Sequence, residues 1–425
     1  MTAKVKAGSA TAIITPPLGT PLRGYYHERL ATGVHDELQA KALYVEDGGG
    51  AVCWIACDLC MLNRGVVAQA RTKIEKDTAL KAEQVLISAT HTHTGPCLVE
   101  TYVPFLAQRI ADVARMARDR AVGASGRIGH GRESGLSFNR RFWMKDGSVV
   151  TNPGGGNPDV VKPVGPIDPE VGVLALYGDS GGPFALMVNF ALHLDTIGGT
   201  VVSADYSFFL TQILRRTLND SLIVHFANGA AGDINHFDVF GRGPRKGFEE
   251  PLRIGTVLGG ETIKILPRAD EVALSPIHYA RREVTLPLAS VTDEDVAEAE
   301  RILSQPEDTA HDFTMDVVWA HRVRSIHQAE GSEVATEVQV LALGDLALVG
   351  IPGELFVEYG LRIKENSPFP HTFIVELSND AVGYLPTEKA FQEGGYEVTS
   401  SRYTPQVGRI VTEAAQALLT ELSRS

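Results

Sequence analysis

Cysteine is scarce in this chain, with four among 425 residues, too few for the disulfide framework that small secreted domains use in place of a core. Cys53, Cys57, Cys60 and Cys97 fit a reducing compartment. Cys57-Asp58-Leu59-Cys60 has the spacing of half a metal or redox pair, yet no second pair follows it. It closes the apolar run Ala51 to Ala56 and reads as buried thiols at a strand end. Long hydrophobic runs are missing too: no window approaches the roughly 18 apolar residues needed to cross a bilayer. The opening residues Met1 to Gly8 lack the apolar stretch of a secretion signal, so the expectation is a cytoplasmic chain with no stable membrane anchor. Positive charge is in deficit. Lys and Arg number 39 against 52 Asp and Glu, a net charge of -13, which argues against the clustered basic surface that nucleic acid requires. The expected partner is a small-molecule substrate, and association into a homo-oligomer is left open.

What is present is material for a large core. With 44% hydrophobic and 21% charged side chains, residues 1–425 can fold as one catalytic domain. Short apolar runs alternate with longer amphipathic stretches, the pattern of a mixed α/β (α+β) fold with sheets flanked by helices. Strands are expected at Ala42–Val45, Val52–Ala56, Val85–Ser88, Val171–Leu176, Ala185–Phe190, Ile223–Phe226, Val338–Leu343, Leu346–Ile351 and Thr372–Leu377. Helical periodicity is clearest in Phe105–Val122 and Thr404–Leu422, and is present in Gly65–Asp77, Phe208–Leu218, Asp293–Leu303 and Phe313–Glu330. Thr151–Pro169 is rich in Gly and Pro and reads as a long loop. Gly241–Glu250 and Phe391–Ser401 read as loops that shape a pocket.

Several of these strands run directly into polar residues of catalytic type, and strand ends are where α/β folds place their sites. Val85–Thr90 leads into His91-Thr92-His93, Leu186–Leu192 into His193, and Ile223–Phe226 toward Asp233 and Asn235. Leu346–Gly353 delivers Glu354, and Phe373–Leu377 delivers Asp380 and then Tyr384. Histidines at i and i+2 of an extended segment point to one side, so His91 and His93 are expected to face one cavity. Imidazole and carboxylate together select a borderline cation such as zinc. Asp205 reads either as a helix N-cap before Phe208–Leu218 or as a residue behind the ligands.

These residues carry a family resemblance. Ala7-Gly8-Ser9-Ala10 with Ile14-Thr15-Pro16, Thr90-His91-Thr92-His93-Thr94-Gly95-Pro96, Phe138-Asn139-Arg140, Asn189–His193, Ala231-Gly232-Asp233, Ile351-Pro352-Gly353-Glu354, and Leu377-Ser378-Asn379 leading to Gly383-Tyr384 resemble the neutral or alkaline non-lysosomal ceramidases. Those are zinc amidohydrolases that cleave the N-acyl bond of ceramide. The resemblance implies one Zn2+ per chain held by His91, His193, Glu354 and Tyr384, with His93 and Arg140 lining the reacting centre. Asp233 is then a candidate for orienting a ligand or water, and Asp205, Asn235, Asp380 and Tyr396 are candidates for lining the substrate or supporting the ligands.

Two departures bear on the substrate. Asn235 stands where those enzymes have a serine considered as a nucleophile, and an amide side chain cannot attack a carbonyl in that way. A metal-activated water is the nucleophile that remains. The further C-terminal β-sandwich domain of full-size ceramidases is also not expected within residues 1–425. The expectation is therefore a zinc hydrolase acting on an amide, ester or lactone bond of a small soluble substrate. A genuine ceramidase and a metal-binding protein without catalysis are the alternatives.

Overall fold

A computed structural model describes residues 5–179, 181–241, 247–305 and 314–425. Two sheets lie face to face with helices outside each, so the mixed α/β class follows from the alternation of elements. Strands of the larger sheet are β1 (Val5–Ile13), β2 (Gln39–Glu46), β3 (Ala51–Cys57), β4 (Val85–Ala89), β5 (Val122–Arg132), β6 (Glu170–Tyr177), β7 (Pro183–Phe190), β8 (Ile223–Asn228) and β9 (Asp270–Val272). Their order is β8-β7-β6-β5-β1-β2-β3-β4, with β9 also paired to β5. The smaller sheet runs β10 (Ile277–Pro287), β11 (Glu333–Leu343), β12 (Leu346–Gly350), β13 (His371–Val375).

Strand β3 shows why the apolar runs are continuous rather than alternating. Val52, Trp54 and Ala56 point into the core between the sheets, where Leu86, Met187, Leu348 and Phe373 also lie. Cys53, Ile55 and Cys57 point the other way, onto helices α1 (Arg64–Thr78) and α2 (Val103–Asp119). A strand buried on both faces has no polar side to show. Helices α3 (Tyr206–Thr217) and α4 (Glu249–Ile265) cover the other end of the large sheet through Leu210, Leu214, Ile254 and Leu258. On the small sheet, α7 (Val357–Glu365) and α10 (Val407–Leu422) pack Ile363, Val411 and Leu418 against Val338, Val349 and Ile374. Helices α5 (Asp293–Leu303) and α6 (Met315–His327) pack together through Ala299, Ala320 and Val323.

Most neighbouring strands are antiparallel, but β3–β4, β7–β8 and β12–β13 are parallel. Parallel neighbours require a crossover, and α1, α3 and α7 are the three helices that supply it. The C-terminal ends of these strands carry His91, His193, Asp233, Glu354 and the Asp380–Tyr384 segment.

Three expectations change. The loop Thr151–Pro169 contains a short strand, Val160–Pro163, paired with Arg141–Met144. Phe391–Ser401 is largely helical, spanning the end of α8 (Glu388–Glu393) and all of α9 (Tyr396–Ser400). Glu249 and Glu250 already belong to α4, while 242–246 lie outside the described residues. Among the described residues no helix is long and apolar enough to cross a membrane.

Candidate metal centre

His91 is not in extended backbone. Its φ is +81°, and the chain reverses there as Thr90 N and His91 N donate to the carbonyls of Cys57 and Leu59 at 2.9 and 2.8 Å. The i, i+2 argument for His91 and His93 therefore fails in its geometry, although the rings still meet, edge to face with centroids 4.7 Å apart. Two neighbouring threonines fasten the turn: Thr92 Oγ1 and Thr94 Oγ1 both donate to Ser203 O, at 2.6 and 3.0 Å. Left-handed backbone at a non-glycine residue costs on the order of 1–3 kcal/mol and persists only where surroundings over-determine it.

The other residues arrive by similar fastenings. Asn189 Nδ2 donates to the carbonyls of Ala227 and Ile374, at 2.9 and 2.8 Å, tying β7 to the small sheet just before His193. Glu354 N donates to Gly383 O at 3.0 Å, and Glu354-Leu355 pairs in parallel register with Tyr384-Leu385, so Glu354 and Tyr384 are direct neighbours. A Cβ on Gly353 would lie 2.5 Å from Gly383 O, which is why glycine precedes the glutamate.

Both histidines have their tautomer set from outside. His91 Nδ1 lies 2.7 Å from Cys60 O and His193 Nδ1 lies 3.0 Å from Ala231 O. A carbonyl only accepts, so each Nδ1 carries the proton and each Nε2 offers a lone pair. Those Nε2 atoms are 3.0 Å apart. Glu354 Oε2 stands 3.5 Å from the first and 3.3 Å from the second, buried and without a hydrogen-bond partner. Burial works against charge on either ring. Glu354 overrides it at His91, holding that imidazole well above its ordinary pKa, whereas at His193 burial, Arg140 and His91 together push the pKa down to about 3. Burial raises the Glu354 carboxyl, but His91 and His193 hold it well below the usual range. The centre is thus built to contain one positive charge among three acceptors. Burial and Glu354 push the Tyr384 phenol well up, and its ring lies against Tyr396, centroids 5.6 Å apart.

His93 Nε2 is 3.3 Å from His91 Nε2, and its Nδ1 is 3.5 Å from Asp195 Oδ1, which also accepts from the Tyr25 hydroxyl at 2.7 Å. Burial and the neighbouring His91 keep His93 neutral, its pKa well below the ordinary value. Gly24 closes over this ring: its φ is +119°, and a Cβ there would lie 2.8 Å from the His93 imidazole. Gly24→Ala is expected to displace His93 and lower kcat by at least about tenfold, since misplacement by about 1 Å can cost 100-fold, with metal content unchanged. Steady-state kinetics beside elemental analysis checks this, and equal loss of metal would contradict it.

Arg140 is buried and largely occupied. Its Nε donates to Glu397 Oε1 at 2.7 Å and its Nη2 to Gly232 O at 2.8 Å, while Nη1 lies 3.4 Å from His193 Nε2. A buried guanidinium needs a counter-charge, and Glu397 supplies it inside the protein. Asp233 is corrected in its position. Its Oδ1 accepts from Val357 N and its Oδ2 from Asn139 Nδ2, both at 2.8 Å, so it joins the start of α7 to the strand before Arg140 rather than facing the cleft. Asp380 likewise accepts from Thr336 Oγ1 at 2.9 Å and from Ala381 N at 2.9 Å, anchoring its loop away from the centre. Asn235 Nδ2 donates to Asn152 Oδ1 at 2.5 Å, beside Arg140 and His193 in a cavity of about 330 Å3. Tyr396 lines the main cleft with Tyr384.

Asp205 caps α3 and clamps the loop after His193, accepting from Tyr206 N at 2.6 Å, Thr196 N at 2.9 Å and Thr196 Oγ1 at 2.5 Å. Burial outweighs these donors and raises its carboxyl to about 7, against about 3.9 unfolded. The native state therefore holds a proton that the unfolded chain releases. The stability due to this group is fully present below about pH 4 and declines as pH rises toward 7. The unfolding free energy of wild type relative to Asp205→Asn is expected to be greater at acid pH than above 7, by urea titration at both. A difference independent of pH would contradict the assignment.

Three important groups were not foreseen from sequence: Glu397 beneath Arg140, Asp195 behind His93, and Glu376, whose Oε2 accepts from Ala231 N at 3.1 Å behind the carbonyl that fixes His193. Asp195 is two residues from His193 and was within reach of a local reading. Glu397, fully buried in a five-residue helix, gave no periodic signal.

No family model matches the chain. Among curated proteins it is similar to neutral ceramidase B of Dictyostelium discoideum, 19% identical over 90% of this chain and 67% of that protein. It is also similar to neutral ceramidase A of the same organism, 22% identical over 52% of this chain but only 34% of the relative. Among solved structures, neutral ceramidase from Pseudomonas aeruginosa superposes with a TM-score of 0.80 at 18% identity, covering 100% of this chain and 75% of that one. A ceramidase complexed with C2 gives 0.78 at 17% identity, covering 99% and 76%. The strand-end geometry, the motifs and these likenesses agree: the chain is a divergent, neutral-ceramidase-like protein.

Proposed function

We propose that the chain is a zinc-dependent hydrolase that cleaves the amide bond of a small N-acyl compound. One observation carries this reading: two Nε2 lone pairs 3.0 Å apart and the unpartnered Oε2 of Glu354 converge on one buried point. A proton on His91 and Arg140 Nη1, 3.4 Å from His193 Nε2, answer these acceptors only in part; buried polar groups left short of partners are costly, and a cation satisfies all three. Two imidazoles and a carboxylate suit zinc, which in catalytic sites keeps a position open, with Tyr384 the fourth candidate ligand. When bound, the ion supplies Lewis acidity toward the scissile carbonyl and makes a water acidic enough to serve as nucleophile near neutral pH.

The remaining work falls to the chain's own residues. His93, neutral and with Asp195 Oδ1 3.5 Å from its Nδ1, accepts a proton through Nε2 and returns it to the leaving nitrogen. Arg140 offers Nη1 to the oxygen that gains negative charge, and the Glu397 pair fixes that donor before reaction. The Asn235 carboxamide, tied to Asn152 and Phe237, supplies no nucleophile. Ceramide itself is the second reading, favoured by the names of the relatives.

The test is hydrolysis of matched N-acyl amides, esters and a lactone by protein as purified, after chelation, and after zinc is restored. Amide turnover lost on chelation and regained with zinc is expected. Absence of turnover in every class would overturn the proposal, and turnover of esters or lactones alone would remove the amide assignment.

A further inference from the structure

The cleft of about 470 Å3 that His91, His93, Glu354 and Tyr384 line is also lined by Arg23, Arg322 and Arg402. Glu354 is the one carboxylate among its described lining residues. Elsewhere in this acidic chain buried arginines meet carboxylates: Arg71 reaches Glu337 at 2.5 Å, Arg140 reaches Glu397 at 2.7 Å, and Arg141 reaches Glu393 at 3.2 Å. Among the described residues no carboxylate lies within ion-pair distance, 4.0 Å, of the three cleft arginines.

Two of them are nevertheless held in place. Arg322 Nε donates to Ser401 O at 2.7 Å, and Arg402 donates from Nη1 to Ser325 Oγ and from Nη2 to Tyr403 OH, each at 3.0 Å. Asp295, whose field reaches Arg322, has its Oδ2 engaged by Thr292 N and Oγ1 at 2.8 and 3.0 Å. Arg23 is fixed through its backbone, its N donating to Gly95 O at 2.9 Å. Among the described residues, two half-buried guanidiniums anchored by neutral acceptors, with a third at the rim, leave N–H donors and an excess of positive charge lining the cavity. Guanidinium forks match planar or tetrahedral oxyanions, and a cleft of one sign concentrates ligands of the other.

We infer that Arg322, Arg402 and Arg23 form an oxyanion subsite, and that the substrate is an N-acyl compound bearing a carboxylate or phosphate on its amine portion. This rests on the hydrolase reading of the same cleft. It separates the protein's substrate from a neutral N-acyl amino alcohol, which offers these arginines only a hydroxyl.

The test compares N-hexanoylglycine, N-hexanoylethanolamine and the phosphate monoester of the latter as substrates. Calorimetry then uses the ketone analogues of the first two, in which a methylene replaces the amide NH, on metal-loaded protein. The anionic compounds are expected to exceed the neutral one in kcat/KM, and the anionic analogue to bind at least about tenfold more tightly. The carboxylate and phosphate arms show which oxyanion is preferred. In Arg322→Gln/Arg402→Gln the affinity for the anionic analogue is expected to fall at least about tenfold, with a smaller change for the neutral one. Equal binding of both analogues by wild type, or equal loss of both in the variant, overturns the subsite. If no amide turns over while the anionic analogue still binds through these arginines, the subsite stands and the hydrolase reading falls.

Discussion

Glu354→Gln is expected to remove the metal and lower kcat/KM by at least about 1,000-fold, since the ion contributes several kcal/mol at the transition state and each 1.36 kcal/mol is tenfold in rate. The substitution keeps the shape of the side chain but exchanges the unpartnered Oε2 for a group that can donate. An amide NH2 facing His91 Nε2 and His193 Nε2 satisfies the lone pairs that otherwise need a cation. The metal-free variant is therefore expected to be at least as stable as metal-free wild type. Thermal unfolding with and without chelator, beside kinetics, checks both parts. A metal-free variant much less stable than metal-free wild type would mean that Glu354 serves the fold and not an ion.

Glu397→Ala is expected to act on stability and activity together. Its carboxylate is fully buried between Arg140 Nε at 2.7 Å and Arg141 Nε at 3.6 Å, and accepts from Thr151 Oγ1 at 2.8 Å. Removing one partner of a buried pair typically costs about 3–5 kcal/mol, because the remaining charge is left uncompensated. Here two guanidiniums lose their shared counter-charge. Loss of the fixed Nη1 donor should lower kcat by about 100- to 1,000-fold, the range for one oxyanion donor. Glu397→Gln separates charge from shape, retaining most of the packing while losing the ion pair. Urea unfolding and kcat for the two variants decide the matter. A change below 1 kcal/mol in Glu397→Ala would show that Arg140 finds other support.

The strand ends were legible because each approach is a continuous apolar run that stops at a polar residue. Burial on both faces imposes that pattern, as the alternation of Val52, Trp54 and Ala56 with Cys53, Ile55 and Cys57 shows. Strand β5 was not legible. Its Val-Gly-Ala-Ser-Gly-Arg-Ile-Gly-His-Gly-Arg sequence has little apolar signal, since Gly129 and Gly131 leave room for Ile265. Helix α4 was hidden for the same reason: Gly255 and Gly259 lower helix propensity but let α3 approach through Phe209 and Ile213. The left-handed turn at His91 could not be read from spacing, because it is imposed by carbonyls of the preceding loop. In sequence Arg322 is one charge within the helical stretch Phe313–Glu330. Its meaning depends on Arg23 and Arg402, which are distant in sequence and meet only in the folded cleft.

The most direct test of the central claim is the metal content of protein purified without chelator, for wild type and His193→Ala. One zinc per chain in wild type, and little or none in the variant with its fold retained by circular dichroism, is the predicted result. Wild-type protein without a transition metal, or a variant that binds it as well, would contradict the assignment of His91, His193 and Glu354 as a metal centre.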